Sequence, residues 1–153
     1  MLSKEDRKAK NEAFWDGYKK LMRKHMSSTG RRINWLHYPT EAKDLYLRLE
    51  GNAKVCAVHF DLQARDQGVM DVLWEQMGEL KSVLVAEMGE EGLWIEGLEI
   101  NNVYTCRISW STDKYNYFNE QDVPQMYAFL EERCIRFDAF YQEYKDILLS
   151  LLD

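Results

Sequence analysis

Hydrophobic positions change their period several times along the chain, and each change marks an element. Phe14, Tyr18, Leu21, Met22 and His25 recur at helical spacing, and Ser3 with Asp6 resembles a capping box, so residues 3–27 read as a helix. Ser27-Ser28-Thr29-Gly30 ends it. The period then drops to two. Residues 33–38 (Ile-Asn-Trp-Leu-His-Tyr) read as a short strand stopped by Pro39, and Leu45, Leu47 and Leu49 alternate with Tyr46 and Arg48 in a second. Gly51-Asn52 predicts a tight hairpin, after which Cys56, Val58, Phe60 and Leu62 face inward and His59 and Asp61 outward.

Val69, Leu73, Met77, Leu80 and Leu84 restore the helical stripe over residues 66–88, and Gly89-Glu90-Glu91-Gly92 closes it. Two more strands, 93–100 and 103–110, meet at Asn101-Asn102, a dipeptide that tolerates tight turns. The last helix, 122–152, takes Asp122 as its N-cap, with Gln125 three residues on and Pro124 in the first turn. The order is α-β-β-β-α-β-β-α: an α+β domain with an antiparallel sheet of about five strands and three helices. No linker or repeat divides it, so residues 1–153 read as one domain: a first helix 3–27, an α+β body 31–118 and the C-terminal helix.

The C-terminal helix carries a seam of Val123, Tyr127, Leu130, Cys134, Phe137, Tyr141, Tyr144, Leu148 and Leu151, a 3.5-residue period. Such a stripe suits a long helix lying across its own sheet. It also suits a homodimer in which Val123, Tyr127, Leu130, Phe137, Tyr141, Tyr144 and Leu148 meet a second copy.

Composition narrows the class. At 13% aromatic residues the chain is too rich for disorder, and a net charge of −6 disfavours a wholly basic nucleic-acid module. The average hides a split. Residues 1–32 hold ten Lys+Arg against four Asp+Glu, a local +6, while residues 33–153 carry −12. A basic first helix is therefore attached to an acidic body, neutralised by docking or kept as a handle for an anionic partner. Cys56, Cys106 and Cys134 are scattered and odd in number, which argues against a disulfide framework or a zinc site. With no apolar run long enough for a membrane and no signal-like segment, a cytoplasmic setting is expected.

Candidate chemistry is sparse. His59-x-Asp61 places a base and a carboxylate on one strand face, but a third metal ligand is missing nearby. Glu41-x-Lys43 matches half of a two-metal nuclease pattern, although it sits in a turn. No phosphate-binding glycine loop, nucleophile elbow or zinc helix pattern occurs, and no cofactor, metal site or catalytic residue is expected. The sheet face opposite the leucines is more informative. It carries Tyr46, Arg48, His59, Asp61 and Arg107 with Thr105, and Trp35 with His37 shares a face of the first strand. Interleaved aromatic and cationic groups can stack bases and hold phosphates. A helix covering that face is the alternative.

Several pieces, in order, resemble the bacterial domain-of-unknown-function family 4268. They are Phe14-Trp15, Ile33-Asn34-Trp35, Tyr46-Leu47-Arg48, Leu73-Trp74-Glu75-Gln76 with Leu80-Lys81, Trp94, and Phe118-Asn119 with Asp122-x-Pro124. Similar members occur alone or fused behind a nuclease-like domain, so the resemblance implies a DNA-linked or defence-linked accessory role and carries over no catalytic residues.

Three functions follow as expectations. The first is a non-enzymatic interaction module. The second is a nucleic-acid accessory domain, with Arg31 and Arg32 on phosphates and Trp35, His37, Tyr46, Arg48, His59 and Arg107 as further contacts to nucleic acid or a partner. The third is a metal-dependent nuclease centred on Glu41, Lys43, His59 and Asp61.

Overall fold

The computed structural model describes residues 2–152. Met1 and Asp153, the ends of the expected domain, lie outside them. The elements are α1 (Lys4–Met22), β1 (Leu45–Gly51), β2 (Cys56–Leu62), α2 (Gln67–Glu79), α3 (Lys81–Met88), β3 (Leu93–Ile100), β4 (Val103–Thr112) and α4 (Val123–Ser150). The fold is α+β. Its sheet has four strands in the order β1-β2-β4-β3, every neighbouring pair antiparallel.

The expected capping box forms: the Ser3 hydroxyl accepts from Asp6 N–H, and the Asp6 carboxylate accepts from Ser3 N–H. Asn101 and Asn102 take positive φ (51° and 65°) in the β3–β4 turn, as a tight hairpin between right-twisted strands requires. Gly51 is the last residue of β1 rather than part of the turn, and pairs with Cys56. A β-carbon there would lie 2.8 Å from the Phe14 ring, so α1 can close on this edge of the sheet only over glycine.

Four expectations are corrected. Residues 33–38 form no strand, which leaves four strands instead of about five. Side chains hold that segment away from the sheet: Asn34 Oδ1 accepts from the N–H of Leu36 and of His37, and Trp35 Nε1 donates to the His25 carbonyl. The helix expected over 66–88 breaks at Leu80 (φ −88°, ψ 0°), so there are four helices rather than three. The break lets α2 stay against the sheet while α3 runs along α4. The first helix stops at Met22, not at residue 27, because Ser27 is drawn to Asp138 of α4. Asp122 does not cap α4 through its side chain, which accepts instead from Asn116 N–H and Asn119.

The core lies between the sheet and α4. Phe60 and Trp110 pack on Phe137, and Phe60 also meets Tyr141. Leu130, Phe137, Tyr141 and Leu148 are fully buried, and Val123, Tyr127 and Tyr144 are half-buried against them. The buried part of the α4 seam thus packs into the chain's own core. Tyr127 also donates to the Phe14 carbonyl at 2.6 Å, tying α4 to α1. Of the inward leucines, Leu45 and Leu47 are buried, and Leu49, expected with them, is half-buried.

Candidate functional site

The helices pack on the face of Leu47, Phe60 and Ile108. Strand alternation therefore sends the intervening side chains to the opposite face, which no helix among the described residues covers. Register aligns them in cross-strand rows. Arg48, His59, Ser109 and Leu93 form one row, and Tyr46, Asp61, Arg107 and Ile95 the next.

Asp61 organises this face. Its carboxylate is fully buried yet holds two cations. Arg107 binds it through Nε (2.7 Å) and Nη2 (2.8 Å), the parallel arrangement in which guanidinium and carboxylate match best, and Arg48 Nη1 adds a third bond at 2.9 Å. The network runs on: Arg48 Nη2 donates to Gln63 Oε1, and Gln63 Nε2 donates to Thr105 Oγ1 at 2.8 Å. The Arg48 guanidinium also lies 4.2 Å from the centre of the Tyr46 ring.

His59 is held in the neighbouring row, with Nε2 2.9 Å from Glu50 Oε1 and Nδ1 2.9 Å from Ser109 Oγ. Burial lowers its pKa, the bond to Glu50 opposes that, and the Arg107 charge reinforces it. A carboxylate only accepts, so Nε2 carries the ring proton and Nδ1 accepts from the Ser109 hydroxyl. Serine, histidine and glutamate thus touch in the order of a hydrolytic triad. The setting does not suit that chemistry. Ser109 sits in a strand paired on both sides, which commits the nearby backbone to the ladder and leaves no N–H pair for an oxyanion. The cysteines are not nucleophiles in waiting: all three are buried, and burial pushes Cys56 and Cys134 up to about 12.

The site residues read from sequence divide between two surfaces. Tyr46, Arg48, His59 and Arg107 share the open sheet face. Arg31, Arg32, Trp35 and His37 belong to the segment after α1, on the helical side, where Arg31 and Arg32 border a recess with Gln142 and Lys145 of α4. Trp35 is 4% exposed and its ring is unavailable for stacking, whereas His37 is exposed. The nuclease set is not assembled. Asp61 is engaged by two arginines, and Glu41 pairs with Lys145 of α4. Among the described residues no group of three or more His, Cys, Asp or Glu could hold a metal ion.

Sequence reasoning missed Glu50, Gln63 and Ser109. Each lies two residues from a named member of the face, so the period of two contained the signal. It also missed Asp138, which is 2% exposed. Asp138 accepts from the Ser27 hydroxyl (2.9 Å), Ser28 N–H (2.7 Å) and the Tyr38 hydroxyl (2.5 Å), fastening the 27–38 segment to α4. A carboxylate between Cys134 and Tyr141 on a buried helix face was its one trace in the sequence.

The family described as Domain of unknown function (DUF4268) matches residues 11–145. No curated protein and no solved structure matches the chain.

Proposed function

We propose, for a chain that belongs to the domain-of-unknown-function family 4268, a non-enzymatic interaction module whose docking surface is the open sheet face and whose first partner is a second copy. One observation carries the reading: exposed apolar side chains border a charge-balanced polar network whose members already satisfy one another. Leu93 is 63% exposed, Val103 42% and Tyr46 36%. Between them, Arg48 and Arg107 are balanced by Asp61 and Glu50 with His59 neutral, so covering the face strands no charge.

Two such faces fit each other. Glu50 is 46% exposed, and Arg107 binds Asp61 only through Nε and Nη2, which leaves Nη1 for a carboxylate across a two-fold axis. Strands of this length at ordinary spacing present roughly 450 Å² per copy, about 900 Å² for a pair, close to the roughly 1,000 Å² at which specific interfaces begin. A reversible dimer follows. The module's role is recognition, with the ordered network fixing register and the apolar rim supplying affinity.

Sedimentation velocity across a micromolar-to-millimolar series tests this. Weight-average mass should rise toward the dimer, and Leu93→Glu with Val103→Glu should return it to the monomer. Ile147→Glu, an equally apolar exposed position on α4, should leave it unchanged. A monomer at every concentration, or a dimer indifferent to the sheet-face pair, sinks the proposal.

A further inference from the structure

We infer that the corner where α1 ends against residues 31–34 binds the sugar–phosphate backbone of a nucleic acid. This rests on a different surface from the sheet-face dimer and stands or falls separately. Lys19, Lys20 and Arg23 lie on the exposed side of the last turns of α1, and Arg31 and Arg32 on the segment that returns beside them. Lys19, Arg23 and Arg32 stand around a largely apolar recess of about 310 Å³, and Arg31 and Arg32 border a second of about 540 Å³ together with the Lys145–Glu41 pair. The two recesses adjoin at Arg32, Ile33 and Asn34, so the cations of α1 and of the returning segment lie on neighbouring hollows.

These charges are unspent. Lys24 and His25 meet Glu131, and Lys145 meets Glu41. Among the described residues, Lys19, Lys20, Arg23, Arg31 and Arg32 have no carboxylate within salt-bridge distance. The C-terminal end of α1 offsets only about half a charge. Arg32 answers it directly by donating to the Arg23 carbonyl. The remaining cations repel one another unless an anion joins them.

The corner is also built in advance. Asp138 holds Ser27, Ser28 and Tyr38, and Ser27 N–H donates to the Arg31 carbonyl at 2.8 Å, so the arginine segment is anchored on both sides. Preorganisation lowers the entropy lost on binding.

A nucleic acid fits better than a membrane. The apolar face of α1 (Phe14, Tyr18, Met22) is buried in the chain's own core, so the helix offers no apolar stripe to insert between lipids. Arginine forks beside a recess match phosphate oxygens, and cations spread over two adjoining recesses suit a run of phosphates. The acidic remainder of the chain confines contact to this corner.

The test is fluorescence anisotropy of labelled single-stranded and duplex oligonucleotides of mixed sequence over a salt series. Lys20→Glu with Arg31→Glu should weaken binding about tenfold or more at low salt and reduce the log–log salt slope by roughly 1.4 on single strands and 1.8 on duplex. Lys54→Glu with Lys114→Glu makes the same change in net charge away from the corner and should stay within about twofold. Lys20→Gln with Arg31→Gln should shift affinity in the same direction by less, which keeps the result independent of introduced acids. Arg32 is left intact because it closes the end of α1. Equal loss in corner and control variants, no binding at low salt, or binding to phosphatidylserine vesicles without binding to oligonucleotides would overturn the assignment.

Discussion

Two surfaces of this molecule carry arginines, and they do opposite things with them. On the sheet face, Arg48 and Arg107 share the buried carboxylate of Asp61, and their charge is consumed inside the fold. At the end of α1, Arg23, Arg31 and Arg32 have no carboxylate within salt-bridge distance among the described residues. An arginine count alone assigns both surfaces to phosphate. Counting charge that remains after pairing assigns one to a neutral, rigid platform and the other to an anion. The availability of a side chain, not its type, separates the two roles.

The largest effect should come from breaking the balance on the sheet face. Asp61→Asn leaves two arginines over a neutral amide. The loss of one partner from a buried pair costs about 3–5 kcal/mol, with the lower end expected because Arg48 is 33% and Arg107 14% exposed and both can turn toward water. Urea unfolding measures it. If the variant folds, its sheet face should also begin to bind oligonucleotide, making the two surfaces alike. An unchanged stability would mean that Asp61 does not hold the arginines. The corner is held by Asp138, and Asp138→Asn should cost about 1–3 kcal/mol through imperfectly paired buried donors. Hydrogen exchange should quicken in residues 27–38 while the sheet stays protected; quickening in the sheet alone contradicts the anchoring role.

How much of this was legible beforehand differs between the surfaces. The strands expected over 44–50, 54–62, 93–100 and 103–110 all form with ends within two residues of those bounds, and the two faces of the first pair follow from a period of two, since alternation is a local property of the backbone. The same rule placed Tyr46, Arg48, His59, Asp61 and Arg107 together. It could not say whether those arginines were free. That depends on register, because a carboxylate answers two guanidiniums only when Asp61 stands opposite Arg107 and diagonal to Arg48. The 33–38 segment failed for a related reason. Its aromatic and β-branched content reads as a strand, yet Asn34, Trp35 and Tyr38 make side-chain bonds to a turn, to His25 just past α1 and to Asp138 of α4. Tertiary bonds overrode the local pattern. The basic corner was half visible: the +6 of residues 1–32 pointed to it, while the approach of Arg31 and Arg32 to α1 needed the chain reversal that Asp138 fastens.

The smallest effect concerns pH and separates the surfaces by titration. His59 is the one histidine on the sheet face, surrounded by Glu50, Ser109, Arg107, Asp61 and Arg48, and burial lowers its pKa from the ordinary 6.5. The unfolded chain therefore takes up the proton first as the solution is acidified. Stability contributed by the neutral ring is complete above about 6.5 and declines as pH falls from there through the lower folded value. His25 and His37 lie on the helical side and are common to wild type and His59→Gln, so the difference between the two unfolding curves isolates the sheet face. That difference should be flat above neutrality and should shrink on acidification, since glutamine can donate to Glu50 and accept from Ser109 at every pH. The same acidification puts a positive charge between Arg48 and Arg107, so the sheet-face dimer should weaken over that window in wild type and not in His59→Gln. A stability difference that grows as pH falls would show His59 protonated in the fold, and with it a sheet face that carries net charge like the corner it is contrasted with.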